Sequence, residues 1–509
     1  MLARIGKLPL FLLMLGASGL MMFVPAGLAY SGADFHVGRS FLYSGTLLIA
    51  VFFLIAIALG DQHEMQTPLQ HLRALFLSFT LLPVFLAVPF AEGLQTTTFF
   101  NAYFEMVSSL TTTGATVFGD PERLSPALHL WRGLVGWCGG LIMWIAAAAV
   151  FAPLSLGGYE VTTQGEPGQA DTMRGQMQVA DPMKRWQRTA AALIPIYAGL
   201  TLALWVMLLV LGDRPLVACM HAMAVMSTSG ISPIGGLPEA GSGIPGEIVI
   251  FLFLFFALSR LTFSTDKGGA VGGFGQRRLF SDPEFRLGLI IVVLAPTLLF
   301  LRHWVGAYEV DEVRDVSAAL LALWGSVFTV MSFLTTTGFE SHEWHVATDW
   351  SGLHTTGIIL MGLAIVGGGV ATTAGGVKLL RVYVLYLQGY GEMQKLVHPS
   401  IVVASRKERQ RIRRKGAVIA WVFFMLFAIS LAVIVATLSG FGVDFEHAML
   451  LAVSSLTTTG PLSQIADETP VLISTYSTSV KSVLCAAMVL GRMETLAIIA
   501  LMSPELWQK

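Results

Sequence analysis

Charged residues are scarce in this 509-residue chain, where they make up 12% of the sequence while 54% is hydrophobic. A soluble domain usually has about a quarter of its residues charged, so an ordinary soluble protein is excluded. The mean hydropathy of +0.70 indicates a polytopic membrane protein. The formal net charge is only -1, so no basic excess supports nucleic-acid binding.

Cysteine is also rare, and Cys138, Cys219 and Cys485 are the three in the chain. All lie in or beside apolar runs without metal-ligand spacing, which predicts small buried hydrophobes, with a disulfide or a metal site as the alternative. The scattered histidines form no HExxH or comparable acid-base set, and the sequence has no GxGxxG segment or P-loop. We therefore expect no enzyme and no organic cofactor in this chain, and any nucleotide control must come from another subunit.

Long apolar runs dominate the sequence instead. A helix needs about 20 apolar residues to cross a hydrocarbon core of about 30 Å. The first run is long enough to be a retained helix rather than a signal peptide. Ten crossings are predicted, at residues 8–28, 41–59, 75–90, 130–154, 190–211, 248–261, 287–301, 353–387, 417–438 and 471–501.

Between some of these runs lie apolar stretches such as 99–110 and 445–456, which are too short to cross and predict re-entrant helices. Basic residues concentrate in the connections near 174–188, 260–286 and 395–415. The positive-inside rule places these connections and both termini in the cytoplasm. The opposite connections are acidic, either to concentrate cations at an outer mouth or because the basic residues are kept inside.

One short pattern, a hydroxyl triplet followed by glycine, occurs four times with its glycines 116, 108 and 122 residues apart. Each copy follows a short apolar stretch and precedes a full crossing, so four parallel repeats are predicted around one axis. We call the copies loops 1 to 4. They are Thr111, Thr112, Thr113 and Gly114; Ser227, Thr228, Ser229 and Gly230; Thr335, Thr336, Thr337 and Gly338; and Thr457, Thr458, Thr459 and Gly460.

Such loops suit a cation pore, because rings of backbone carbonyl oxygens can replace the hydration shell of an ion. Turning successive carbonyls toward one axis needs unusual backbone angles and close approach of four chains, which glycine permits. Non-helical backbone at membrane depth is tolerated where it lines a wet cavity. The four loops therefore predict a selectivity filter.

The short helix before each loop adds an electrostatic effect, because its C-terminal end carries about -0.5 of an elementary charge. Four such ends favour a cation. The loops contain no acidic residue, which favours a monovalent over a divalent ion. Helix capping is the alternative for any single glycine, but capping does not require a preceding hydroxyl triplet.

The predicted fold class is an all-α polytopic membrane protein with four parallel helix, pore-helix, filter and helix repeats around one pore, plus two extra N-terminal transmembrane helices. The predicted domains are an N-terminal helix pair (1–65) and pore repeats 1 (66–180), 2 (181–275), 3 (276–400) and 4 (401–509).

At these residues the sequence resembles the TrkH/TrkG/KtrB/HKT superfamily of potassium transporters, in particular its TrkH-type bacterial branch. In that superfamily the four loops form the filter, and glycine in all four positions goes with potassium preference, whereas serine in loop 1 goes with sodium permeation. Gly114 therefore implies potassium as the transported ion. Loop 2 departs most from the TTTG pattern.

The second crossing of repeat 3 contains a glycine-rich stretch, where a broken helix is expected because each interior glycine costs about 1 kcal/mol. The family places an intramembrane gate loop there, below the filter. Close helix packing through small residues is the alternative. The gate residues implied are Gly367, Gly368, Gly369, Thr372, Thr373, Gly375, Gly376 and Lys378, together with Arg492 of the last crossing.

Arg492 matches the family's arginine under the filter, where it would form an electrostatic barrier and brace the gate loop. A guanidinium at membrane depth usually faces a wet interior or a partner. The alternatives are that Arg492 snorkels to the cytoplasmic interface or pairs with Glu494. Lys481, on the same crossing, is a second intramembrane basic residue with a less defined role.

The resemblance also implies an inner-membrane location, a homodimer and a cytosolic TrkA-type subunit with nucleotide-binding domains docking on the basic connections. Plain topology and anionic lipid also explain those basic residues. A secondary transporter of a larger substrate would normally show inverted repeats, which the inferred parallel orientation disfavours. Sodium/potassium-coupled or proton-coupled cation symport remains the alternative mechanism.

Overall fold

The computed structural model describes residues 8–59, 68–154, 156, 182–259, 282–309, 316–344, 357–397, 407–466, 470–495 and 497–498. These residues form helices and connections, without strands. The helices are α1 (Leu10–Met21), α2 (Phe23–Ser31), α3 (Phe35–Leu59), α4 (Pro68–Thr80), α5 (Leu82–Leu94), α6 (Phe99–Leu110), α7 (Pro126–Ala146), α8 (Pro182–Val210), α9 (Pro215–Ser227), α10 (Gly243–Leu254), α11 (Pro283–Glu309), α12 (Val316–Leu334), α13 (Gly357–Val366), α14 (Leu379–Val397), α15 (Lys407–Gly440), α16 (Phe445–Leu456), α17 (Leu462–Ile465) and α18 (Thr478–Met493).

The predicted all-helical architecture is confirmed, and each predicted crossing contains a helix among the described residues. Within the described residues, six helical spans are long and apolar enough to cross a membrane by themselves. They are Leu10–Ser31, Phe35–Leu59, Leu69–Leu94, Pro126–Leu154, Pro182–Val210 and Gly416–Gly440. The other four predicted crossings lie on α10, α11, α13 with α14, and α18, which do not meet that criterion.

The short helices before the four loops are α6, α9, α12 and α16, and we call them pore helices. The structure gives α6 and α16 the bounds predicted for re-entrant helices. In contrast, α12 has 19 residues, longer than its counterparts, because the apolar stretch before loop 3 is itself longer. Thr98 caps the start of α6 by accepting a hydrogen bond from the Asn101 amide at 3.3 Å.

The repeats pack in a closed order around one centre. The second crossing of each repeat contacts the pore helix of the next repeat: α7 packs on α9, α10 on α12, and α13 on α16. The last crossing, α18, packs on α6 of repeat 1 and closes the circle. The pore helices are therefore held between neighbouring repeats, and their C-terminal ends converge.

Within the described residues, two crossings are broken by backbone that does not continue a right-handed helix. Repeat 3 has the predicted break, since α13 ends at Val366 and α14 begins at Leu379. The last crossing differs from its prediction as one helix over 471–501, because α18 ends at Met493 and Glu494 has a φ of 62°. A positive φ cannot continue a right-handed helix.

Several predictions fall outside the described residues. These are the two chain termini and the basic connections at 157–181, 260–281 and 398–406.

Candidate functional site

The four loops share a backbone conformation that the sequence did not reveal. The middle threonine of each loop has a left-handed φ: 55° at Thr112, 50° at Thr228, 57° at Thr336 and 55° at Thr458. A β-branched residue rarely adopts this region, and such strain costs about 1–3 kcal/mol per residue. The glycine follows two residues later, also with positive φ in loops 1 to 3.

The amides of the loops point back to the pore helices. In loop 1, the Thr111 amide donates to Val107 O (2.9 Å), the Thr112 amide to Ser109 O (2.9 Å) and the Thr113 amide to Ser108 O (2.8 Å). Loop 3 repeats this pattern on α12. In the described part of the chain, no donor reaches the main-chain oxygens of the first and middle residues of loops 1 and 3. Those oxygens are free to bind another group.

The first and third hydroxyls of every loop are fixed in one repeated arrangement. The first hydroxyl donates to the carbonyl four residues earlier in the pore helix, at 2.7 to 2.9 Å across the four loops. It also pairs with the third hydroxyl, at 2.8, 3.0, 3.1 and 3.2 Å in loops 1 to 4. The hydroxyl triplet therefore fastens each loop to its helix.

The structure brings the four loops together in a ring. A Cβ built on Gly114 would collide with the carbonyl oxygen of Ser229, and one built on Gly230 would collide with that of Thr337. Loop 3 meets loop 4 where a Cβ on Gly338 would lie 3.0 Å from the ring of Pro461. Loop 4 meets loop 1 where the Gly460 amide donates to Thr113 O at 2.6 Å.

Loop 4, rather than loop 2, departs most from fourfold symmetry. Gly460 is not among the glycines with positive φ, and Pro461 follows it directly. The chain turns at once into α17, with the Leu462 amide donating to Thr459 O at 3.1 Å. The serine substitutions of loop 2 leave the bonds of its first and third hydroxyls like those of the other loops, because serine and threonine offer the same hydroxyl.

The glycine-rich stretch between α13 and α14, called here the glycine-rich loop, lies against the middle threonines of the ring. The Gly375 amide donates to Thr336 Oγ1 at 2.7 Å, and Thr228 Oγ1 donates to Thr373 Oγ1 at 3.2 Å. A Cβ on Gly375 would collide with loop 4. The hydroxyls of Thr112 and Thr458 are buried and have no partner among the described residues.

Basic side chains hold the other side of this loop. Arg492, 3% exposed, donates from Nη1 to Thr373 O at 2.6 Å, while its Nε and Nη2 have no partner among the described residues. Lys378 Nζ donates to Ala374 O within the loop. The alternative pairing of Arg492 with Glu494 is not what the structure has, because Glu494 forms a 2.7 Å ion pair with Arg381.

Lys481 lies higher on α18 and away from the glycine-rich loop. Its Nζ donates to Asn101 Oδ1 of α6 at 3.0 Å and to Ser474 O at 3.3 Å. The residue therefore ties the last crossing to the first pore helix. The three cysteines are free thiols, of which Cys485 is buried, whereas Cys138 and Cys219 are half-buried rather than fully buried as predicted.

Polar residues behind the ring were missed from the sequence. The residue nine positions before the loop glycine is Glu105 in repeat 1, His221 in repeat 2 and Thr329 in repeat 3. Each accepts from or pairs with a residue just after its loop: Glu105 with the Val117 amide, His221 with the Ser232 hydroxyl, and Thr329 with an amide of the chain after loop 3. Their common spacing was the available signal.

With this geometry established, comparison with known proteins gives consistent matches. Residues 274–509 match the family model described as "TrkH: Cation transport protein". The C-terminal part of this chain is similar to the TrkH family. A relative from Vibrio parahaemolyticus, a "Trk system potassium uptake protein TrkH", is 28% identical over 80% of this chain and 79% of its own length.

Two further comparisons extend this result. TrkI of Halomonas elongata, also named a Trk system potassium uptake protein, is 28% identical over 85% of this chain and 83% of its own length. The crystal structure of the potassium transporter TrkH from Vibrio parahaemolyticus matches all of both chains with a TM-score of 0.80 at 24% identity, which shows the TrkH-type fold. These relatives are named as potassium uptake proteins and not as enzymes, and the chain is, like them, a multi-pass membrane protein.

Proposed function

We propose that this protein takes up potassium through the ring formed by loops 1 to 4, which acts as a selectivity filter. The observation that carries the proposal is the closed ring itself: four loops in mutual contact, with the amides of their hydroxyl residues turned back to the pore helices. Main-chain oxygens left without donors can then replace the water of an entering ion. The relatives named as potassium uptake proteins support the choice of ion.

The charge around the ring favours a monovalent cation. The C-terminal ends of four pore helices converge on it, each with about -0.5 of an elementary charge. No carboxylate belongs to the loops themselves, so the loops lack the ligands that bind divalent cations tightly. Potassium would then leave the filter faster than it would leave a ring of fixed acids.

The glycine-rich loop is the proposed gate. It touches loops 2, 3 and 4 from one side, and Arg492 holds it from the other. In this arrangement the loop obstructs the path below the filter, and the unpartnered nitrogens of Arg492 repel a cation there. A strip rich in glycine can change its backbone angles at low cost, as a gate requires.

The remaining assignments follow from the family resemblance. The protein lies in the bacterial inner membrane with both termini in the cytoplasm, forms a homodimer and is regulated by a cytosolic TrkA-type nucleotide-binding subunit. Channel-like flux is sufficient for accumulation, because an inside-negative potential supplies about 2.3 kcal/mol per charge for roughly each 100 mV. Symport coupled to sodium or protons is the alternative.

Rubidium uptake by proteoliposomes containing the purified chain tests this function. We expect uptake driven by an imposed inside-negative voltage, inhibited by potassium and much less by sodium. Empty vesicles prepared in parallel measure the passive leak. Absence of voltage-driven uptake of any alkali cation would refute the proposed function, and uptake that requires a sodium or proton gradient would favour symport.

A further inference from the structure

A buried carboxylate lies behind loop 1. Glu105, on pore helix α6, is 0% exposed. Its Oε2 accepts hydrogen bonds from the Val117 amide and the Thr116 hydroxyl, both at 3.2 Å. Thr116 and Val117 belong to the chain that leaves loop 1 toward the next crossing, which we call the outer connection. On its other side, Glu105 Oε1 forms an ion pair with Arg132 Nε of α7 at 2.6 Å.

A second buried carboxylate holds the outer connection of loop 3 and comes from a different repeat. Glu247, on α10 of repeat 2, is 2% exposed. Its Oε1 accepts from the His342 amide at 2.7 Å, and its Oε2 accepts from Ser341 Oγ at 2.7 Å and from Trp324 Nε1 at 2.9 Å. Two of these three donors belong to the outer connection, so the carboxylate fixes both its backbone and a side chain.

The two carboxylates occupy one diagonal of the ring. Its loops contact one another in the order 1, 2, 3, 4 and back to 1, so loops 1 and 3 are opposite. The described contacts behind loops 2 and 4 are neutral in type: the His221 ring meets the Ser232 hydroxyl at 3.0 Å, and the Ser463 hydroxyl donates to Gly460 O at 2.8 Å. The stronger supports are therefore on the diagonal through loops 1 and 3.

Such supports have a mechanical consequence. Hydrogen bonds to a carboxylate are roughly twice as strong as neutral ones, and a buried carboxylate without its donors is very unfavourable. The outer connections of loops 1 and 3 therefore cannot move inward without breaking these bonds. Sodium is smaller than potassium and needs oxygens closer to the axis. A ring that is prevented from contracting leaves sodium incompletely coordinated.

We propose that Glu105 and Glu247 are positioning residues that hold the outer ends of loops 1 and 3 and thereby set the discrimination of potassium against sodium. Neither residue belongs to the four loops, and both act through the outer connections. The inference rests on the proposed function of the ring as a potassium filter.

Glu247→Gln is the most informative variant, because the partners of Glu247 are three neutral donors and the change leaves no buried unpaired charge. Glutamine replaces one carboxylate oxygen with an NH₂ group. This group donates, so it cannot accept the bond from the N–H or O–H group that it faces. In voltage-driven proteoliposomes, we expect sodium to inhibit rubidium uptake at about tenfold lower concentration than in the wild type, equivalent to about 1.4 kcal/mol. Ser341→Ala removes the hydroxyl that donates to Glu247 Oε2 and should therefore shift sodium inhibition in the same direction.

The double variant of Glu247→Gln and Ser341→Ala should shift inhibition by less than the sum of the single shifts, because both changes remove one interaction. Glu446→Gln is the matched control, since Glu446 is an exposed acid in the first turn of pore helix α16. It should leave sodium inhibition unchanged.

For Glu105, the single change to glutamine leaves the buried charge of Arg132 without its partner, which is strongly destabilising and endangers folding. The paired variant Glu105→Gln with Arg132→Gln removes both charges and should also increase sodium inhibition. Membrane insertion is verified for each protein before transport is measured.

Unchanged sodium inhibition in inserted Glu247→Gln and Ser341→Ala proteins would overturn the inference, as would a fall in total uptake without any change in the sodium effect. In either case the wild type would still transport rubidium. If the wild type itself transported no alkali cation, the proposed function would fail instead.

Discussion

At the scale of single residues, the ring depends on left-handed backbone angles at threonines, a residue type that does not suggest such angles. Threonine occupies the left-handed position in all four loops, with φ between 50° and 57°, although glycine would adopt it without strain. The side chain explains the choice at two positions, because Thr228 and Thr336 use their hydroxyls to bind the glycine-rich loop. The strain is thus offset by bonds that glycine could not form.

Gly114→Ser tests the contact between loops 1 and 2. Gly114 has a φ of 74°, and a Cβ there would collide with Ser229 O, so loop 1 must shift and the ring loses the fixed spacing that suits potassium. We expect the selectivity for rubidium over sodium to fall by about tenfold or more. Sodium uptake and the inhibition of rubidium uptake by sodium, both in proteoliposomes, measure this change. Gly199→Ser is the control, because Gly199 is exposed and a Cβ added there would have no neighbouring atom within 4 Å. Retained selectivity in the first variant would contradict the ring geometry.

Thr336→Val tests the bond between the ring and the glycine-rich loop. Valine keeps the shape of threonine but removes the acceptor for the buried Gly375 amide, and an unsatisfied buried amide costs about 1–3 kcal/mol. We expect the variant to leak rubidium faster than the wild type in proteoliposomes that contain no regulatory subunit. We also expect a lower midpoint temperature of thermal unfolding in detergent. A leak equal to that of the wild type would show that this bond does not hold the loop.

At the scale of helices and loops, the break in repeat 3 and the end of the last helix meet at one place. The glycine-rich loop contacts Arg492, and Glu494 contacts Arg381 at the start of α14. Arg381 also lies over the Phe423 ring of α15, 3.6 Å from its centroid. The two interrupted crossings therefore support each other, and movement of the loop requires contacts of α18 to change.

Arg492→Gln tests this arrangement. The change removes the bond to Thr373 O and the positive charge beneath the ring, so we expect a several-fold increase in basal voltage-driven rubidium uptake. Lys481→Gln is a matched variant, because it removes a positive charge from the same helix where the contacts are to α6 and Ser474. If both variants, or neither, raised the basal uptake, Arg492 would have no specific role in closing the pathway.

At the scale of the whole molecule, the four repeats bring their loops together, and the charge of the connections predicts a cytoplasmic basic face. Topology can be tested with single cysteines at two exposed positions, Glu122 after loop 1 and Arg188 near the start of α8. We expect Glu122→Cys to react with a membrane-impermeant thiol reagent in intact spheroplasts and Arg188→Cys only in inverted vesicles. The unmodified chain, with its three native thiols, sets the background. The reverse pattern would invert the assigned orientation.

The repeats, the short pore helices and the break in repeat 3 could be predicted because each depends on residues that are close together in the sequence. Apolar run length distinguishes a crossing helix from a re-entrant one, and consecutive glycines disfavour a helix. The end of α18 at Met493 could not be predicted, since Gly491, Arg492 and Glu494 are compatible with a helix. Their contacts with the glycine-rich loop and α14 lie more than 100 residues away in sequence.

The sequence by itself determined that this protein crosses a membrane several times and repeats one hydroxyl-glycine pattern, because length, hydropathy and repetition are properties of neighbouring residues. Only the tertiary structure decided that the four loops touch in a closed ring, that loop 4 is the irregular one, and that Glu247 of repeat 2 supports repeat 3. These are contacts between distant parts of the chain, and their geometry is set by how whole helices pack rather than by any local preference.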